Sequence, residues 1–171
     1  SQRRMWLVQQ LNPETTAYNL PFAIRLRGSL DASALRHSLQ FLTERHEAFR
    51  TALVEVDGEP WMRIGAVQPV VIDEVDLAHV SEDRQEAAVA EELRSRGTRP
   101  FALDQTPLHR LALLRLGALD HVLFWSIHHA VCDGWSAGVL LQEVLRLYQD
   151  ACAGRAPTLV PNAIDYADYA S

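Results

Sequence analysis

The sequence predicts an α/β sandwich, a mainly antiparallel sheet covered by helices, and three observations predict it. Two apolar runs, Leu108–Leu116 and Val122–His128, are joined by GALDH and read as an antiparallel strand pair. Phe22, Ile24 and Leu26 alternate with Ala23, Arg25 and Arg27, the pattern of a half-buried strand. Stretches with apolar residues at helical spacing lie among these strands, so the two element types interleave and must cover one another.

Taken in order, Ser1–Gln10 reads as a short helix. After the strand at Phe22–Leu26, Asp31 is a predicted N-cap, since its carboxylate can accept from the free amides of a first turn. Leu35, Leu39 and Leu42 then follow at helical spacing up to Arg45. TALVEVDGEPWMRI is a predicted hairpin, because Asp57-Gly58 supplies the positive φ angles that a tight turn needs. A strand is expected over Val70–Val75. Ser81–Arg96 is a second long helix, Glu-rich in its early turns and ended by Gly97, with Pro100 beyond. The last helix, Trp135–Ala151, sets Val139, Glu143 and Leu147 along one side, and Gly154 is its expected stop. The tail from Arg155, with Pro157 and Pro161, reads as a linker.

With 171 residues, 48% apolar and 22% charged, the chain is expected to bury one ordinary core and to fold as a single domain over 1–171. The net charge of −6, from 16 basic and 22 acidic residues, and the lack of a Lys/Arg cluster argue against nucleic acid, whose phosphates demand a basic face. No apolar run approaches a membrane span and no signal peptide opens the chain, so a cytoplasmic location is expected. Two cysteines, Cys132 and Cys152, fit a reducing compartment.

The chemistry concentrates in FWSIHHAVCDGWSAGVLLQEVLRLY, from Phe124 to Tyr148. An apolar strand runs into His128 and His129, and Asp133-Gly134 stands at the mouth of an amphipathic helix, where Gly134 is expected to relieve the backbone. Histidine is the residue type that exchanges a proton near neutral pH. Successive strand side chains face opposite ways, so one histidine is a candidate base and the other a packing or hydrogen-bonding residue. Two other chemistries use the same residues. Cys132 and His129 could form a nucleophilic pair. His129 and Asp133 could ligate an ion, but zinc wants three or four ligands and no C-x-x-C or H-E-x-x-H appears, so no metal is expected.

The string IHHAVCDG, the HHxxxDG pattern, resembles the signature of the acyltransferase superfamily that includes chloramphenicol acetyltransferase, the dihydrolipoyl acyltransferases and the condensation domains of nonribosomal peptide synthetases. SQRRMWLVQQLNP resembles the opening motif of condensation domains, and the chain begins inside that motif. RHEAFRT, Arg45 to Thr51, is similar to their R-H-E-x-L-R-T, with Phe49 where leucine is usual. YNLPFAIRLRGSLDASALRHSL and RPFALDQTPLHRLALL resemble the family's first strand and helix and its connection into the strand before the histidines. Three motifs in the family's order favour the condensation reading, and His128 sets the chain apart from heterocyclisation domains, which replace the first histidine. DGWSAGVL and YNLP resemble the subtype that accepts an L-configured donor.

The resemblance implies a chloramphenicol acetyltransferase-like lobe, the N-terminal one of two, that forms an amide between a carrier-bound donor thioester and a carrier-bound acceptor amine. His129 would be the functional histidine. His128 and Asp133 would be structural, with Asp133 paired to Arg45; Arg50 would be structural or near the channel. Gly134 would leave room for the pantetheine arms. No cofactor is expected to bind directly, since the substrates ride on the 4'-phosphopantetheine of upstream and downstream carrier proteins. Arg3, Arg4 and Arg36 are candidate positions for docking the acidic carrier proteins, and the further expected partners are the C-terminal lobe and an adjacent adenylation domain. The alternatives are a non-catalytic docking lobe and a free-standing oligomeric acyltransferase. On the condensation reading the 171-residue chain alone should fold with His129 accessible and be inactive, because one wall of a channel cannot hold two substrates in attack geometry.

Overall fold

The computed structural model describes residues 2–159, and it divides into two compact units. The first takes in residues up to Leu30, Val71–Ala102 and His109–Ala130. It holds helix α1 (Gln2–Leu11), strands β1 (Asn19–Arg27) and β4 (Ile72–Asp76), helix α3 (Glu82–Gly97), and strands β5 (His109–Gly117) and β6 (Asp120–His128). The second takes in Asp31–Val70, Leu103–Leu108 and the chain from Val131. It holds helix α2 (Ala32–Arg45), a 3-10 turn at Glu47–Arg50, strands β2 (Thr51–Val56) and β3 (Glu59–Ile64), and helix α4 (Gly134–Cys152).

In the first unit the four strands run β1-β6-β5-β4. The β5–β6 pair is antiparallel, as the short turn requires. β1 lies antiparallel against the far side of β6, with Asn19 opposite His128 and Phe22 opposite Trp125. β4 departs from the mainly antiparallel pattern: it pairs parallel with β5, Ile72 opposite Leu111, and α3 provides the crossover that a parallel pair needs. Ala112, Leu114 and Leu116 of β5 share a face with Val122 and Phe124 of β6. They form one core cluster with Leu77 and with Val89 of α3. The face alternation puts Ser126 and His128 on that same buried side, both essentially without solvent contact.

In the second unit Asp31 caps α2, its Oδ1 accepting from Ala34 N–H at 2.9 Å. The β2–β3 hairpin turns at Asp57 and Gly58, with φ of 52° and 80°, the two positive angles expected of that dipeptide. Gly154 ends α4 at φ 63°. The buried stripe of α4 is Leu140, Val144 and Leu147, whereas Val139 is exposed, contrary to expectation. At about 100° per residue a 139/143/147 series drifts round the helix, while 140/144/147 stays together. Residues 155–158 are fastened rather than free. The buried Asp150 carboxylate accepts from Arg155 Nη2 at 3.0 Å and from Thr158 N–H and Oγ1–H at 3.1 and 2.7 Å. Those bonds hold its carboxyl below the usual carboxylate range. The expected linker from residue 160 onward lies outside the described residues. Among the described residues no helix is long and apolar enough to cross a membrane.

Candidate active site at the histidine turn

The two histidines at the end of β6 have opposite environments. His128 is 1% exposed, and its ring stands edge-on to Tyr18 and Phe101, with centroids 6.1 and 5.9 Å away. Its Nδ1 accepts from Ala130 N–H at 3.1 Å, so the neutral ring carries its proton on Nε2. Burial, reinforced by the neighbouring His129, pushes its pKa from 6.5 down to about 4, and the ring is therefore neutral at physiological pH. His129, one residue beyond the strand, is exposed. Its backbone is held all the same: the His129 N–H donates to the Tyr18 carbonyl at 2.8 Å. The result is a solvent-facing imidazole on an anchored main chain, with a buried neutral imidazole bracing the turn that follows it.

The second half of the pattern lies in the other unit. Asp133 is the N-cap of α4, its Oδ1 accepting from Ser136 N–H at 2.7 Å. Cys132 is buried, and its thiol donates to the Asp133 carbonyl at 3.3 Å. Burial and the Asp133 charge push the thiol pKa up to about 12, which leaves too little thiolate for a nucleophilic role. Gly134 is exposed as the first residue of α4. It lacks a positive φ, and a Cβ added there would meet nothing within 4 Å, so the expected relief of backbone strain is not its role.

Arg45 and His46, the last residue of α2 and its C-cap, converge on one carboxylate of α4. Glu143 Oε2 lies 2.5 Å from His46 Nε2 and its Oε1 lies 3.5 Å from Arg45 Nε, all three side chains mostly buried. An ion pair of Arg45 is thus with Glu143 of α4. Glu143→Ala removes a carboxylate that two neighbouring groups share and is expected to cost about 2 kcal/mol, whereas Glu143→Gln, which keeps a hydrogen-bond acceptor, should cost less. Thermal melting of both variants checks the order; equal melting of all three proteins would show that Glu143 holds nothing. Arg50 donates to the Gly65 carbonyl at 3.2 Å and pairs with Glu47 at 3.0 Å, a staple at the base of the hairpin.

Within the first unit lie His128, His129, Tyr18 and Phe101; within the second, described by itself, lie Arg45, His46, Glu143 and Asp133. His46, Glu143, Tyr18 and Phe101 were not expected from the sequence as site residues, Glu143 having been placed only along one side of the last helix. Tyr18 and Phe101 carried a faint signal, as parts of the YNLP and RPFALD segments.

Comparison with known proteins places this arrangement. A family model described as Condensation domain matches residues 1–171. A linear gramicidin synthase protein of Brevibacillus parabrevis is 39% identical over 171 residues, covering 100% of this chain but 2% of that protein. A structure of the X-domain in complex with OxyB from teicoplanin biosynthesis superposes with a TM-score of 0.84 at 33% identity. The match covers 99% of this chain and 35% of that one. The first condensation domain of the calcium-dependent antibiotic synthetase, in complex with a substrate analogue, shares the fold with a TM-score of 0.87 at 24% identity. Here 98% of this chain and 40% of that chain are covered.

Proposed function

Because this chain belongs to the condensation-domain family of nonribosomal peptide synthetases, we propose that it is the N-terminal lobe of such a domain and contributes His129 to amide formation between carrier-bound substrates. The chain spans about 2% of the length of the gramicidin synthase protein and 35–40% of the solved chains it matches. On this reading a second lobe completes the channel, upstream and downstream carrier proteins deliver the substrates on phosphopantetheine, and an adenylation domain loads them in the cytoplasm. The observation that carries the proposal is the contrast between the exposed ring of His129 and the main chain fixed beneath it.

The chemistry asks for little else. The acceptor's α-amine attacks the donor thioester carbonyl carbon; a C–N bond forms, the C–S bond breaks, the amine gives up a proton and the departing pantetheine sulfur ends as a thiol. His129 faces the nucleophile and either takes that proton or orients the nitrogen by hydrogen bonding, both ordinary tasks for an imidazole. Its neighbours serve by position. His128 braces the turn as an acceptor, and it does so only while neutral. Asp133 starts α4, Arg45 holds α4 through Glu143, and Arg50 staples the hairpin base. Gly134 leaves open space beside the pattern, where a pantetheine arm would fit.

The complete domain, supplied with donor-loaded and acceptor-loaded carrier proteins, is expected to release an amide-linked product detectable on the acceptor carrier by mass spectrometry. A domain that binds both carriers yet forms no amide would overturn the catalytic reading. That outcome would favour a second one, a binding lobe, which the likeness to an X-domain captured with OxyB supports at 33% identity.

A further inference from the structure

The segment leaving α3 is tied down to an unusual degree. Asn19 Nδ2, at the start of β1, donates to the carbonyls of Gly97 and Arg99, each at 2.9 Å. Arg110 of β5 donates to Arg99 O and Pro100 O at 2.8 and 2.6 Å, with its guanidinium 3.8 Å from the centre of the Phe101 ring. Gln9 of α1 donates to Phe101 O at 3.1 Å. Orphan carbonyls at a helix end commonly find water or a local turn; here Gly97 O finds Asn19 instead, and the carbonyls of the loop that follows are held by β1, β5 and α1. Gly97 permits the close approach, since a Cβ there would stand 3.3 Å from Pro21 Cβ.

The consequence reaches the histidines through β1. Asn19 is the register partner of His128, and the carbonyl immediately before it, that of Tyr18, accepts the His129 N–H at 2.8 Å. A peptide unit is planar, so the Tyr18 carbonyl and the Asn19 nitrogen move as one rigid group. Anchoring the Asn19 side chain leaves only the φ torsion of Asn19 between the anchored Cα and that carbonyl. An asparagine amide suits the task because it carries two N–H donors on one atom; the isosteric carboxylate has none.

We propose that Asn19 is a positioning residue for His129: its amide, anchored on the Gly97 and Arg99 carbonyls, aims the Tyr18 carbonyl that holds the His129 main chain and so sets where the imidazole stands. As a statement about turnover this rests on the proposed condensation function; as a statement about the His129 amide it does not.

The test uses Asn19→Ala and Asn19→Asp in the complete domain. In both variants kcat for amide formation is expected to fall about tenfold or more, with KM for each loaded carrier within about twofold of wild type. Melting should stay within a few degrees, because the two lost bonds lie near solvent. Deuterium exchange at the His129 amide should accelerate about tenfold or more, while the Ile127 amide inside the sheet keeps its protection. Unchanged His129 exchange overturns the proposal, as does wild-type behaviour of Asn19→Asp, which keeps the shape and removes only the donors. A parallel collapse of kcat, KM and melting would mark a merely structural residue and overturn it too. Should the wild-type domain form no amide at all, the condensation reading fails, and the exchange measurement alone decides the role of Asn19.

Discussion

Replacing His129 by alanine in the complete condensation domain is expected to lower amide formation by on the order of 10²-fold or more while leaving the melting temperature close to wild type. The two halves of that expectation have separate grounds. A group that accepts a proton or orients an amine in the transition state contributes this order of rate, and no other imidazole of the turn can replace it, since His128 is sealed in the core with its Nδ1 committed to Ala130 N–H. The ring of His129 is exposed, and the hydrogen bond that anchors the residue belongs to its main chain, which alanine keeps. His128→Ala should behave in the opposite sense first, melting early because it empties a buried site. Steady-state turnover with loaded carriers, beside melting curves of both variants, checks the pair. Near wild-type turnover of His129→Ala would remove the residue from the chemistry.

Acid should destabilise the fold before the carboxylates titrate, and two buried histidines set the window. Burial pushes the pKa of both His109 and His128 from 6.5 down to about 4. In the unfolded chain each regains an ordinary value, so between pH 6.5 and about 4 the unfolded state binds more protons than the folded one, and stability falls as pH is lowered. At about 1.4 kcal/mol per pH unit, each histidine would withdraw about 3 kcal/mol across that range. Below it the slope from the histidines vanishes. The carboxylates held below their ordinary range by arginine or hydrogen-bond partners, Asp76, Asp120 and Asp150, act only at lower pH still. Urea midpoints measured from about pH 7 to about pH 4 should therefore drop steadily, and a His128→Asn variant should drop less steeply. A midpoint flat over that range would mean that the buried rings take up protons as readily as free ones.

Much of this protein was legible in the sequence alone, because local rules govern it. Asp31 and Asp57-Gly58 act within a few residues of themselves, as a cap and as a turn, and appear in the structure where the pattern put them. Strand alternation by itself separates His128 from His129, one buried and one exposed. Tertiary structure alone decided what depends on distant partners. No local signal marks β4 as parallel to β5, or sets β1 beside β6 so that Asn19 faces His128, since strand pairing across about a hundred residues follows from which faces can be buried together. For the same reason no local signal marks Glu143 as a carboxylate on which Arg45 and His46 converge; only the packing of α2 against α4 brings them together. The carbonyls that Asn19 holds are invisible in any sequence, because every residue has one. Which of them lies within reach of a given amide is fixed only when the chain has closed around its core.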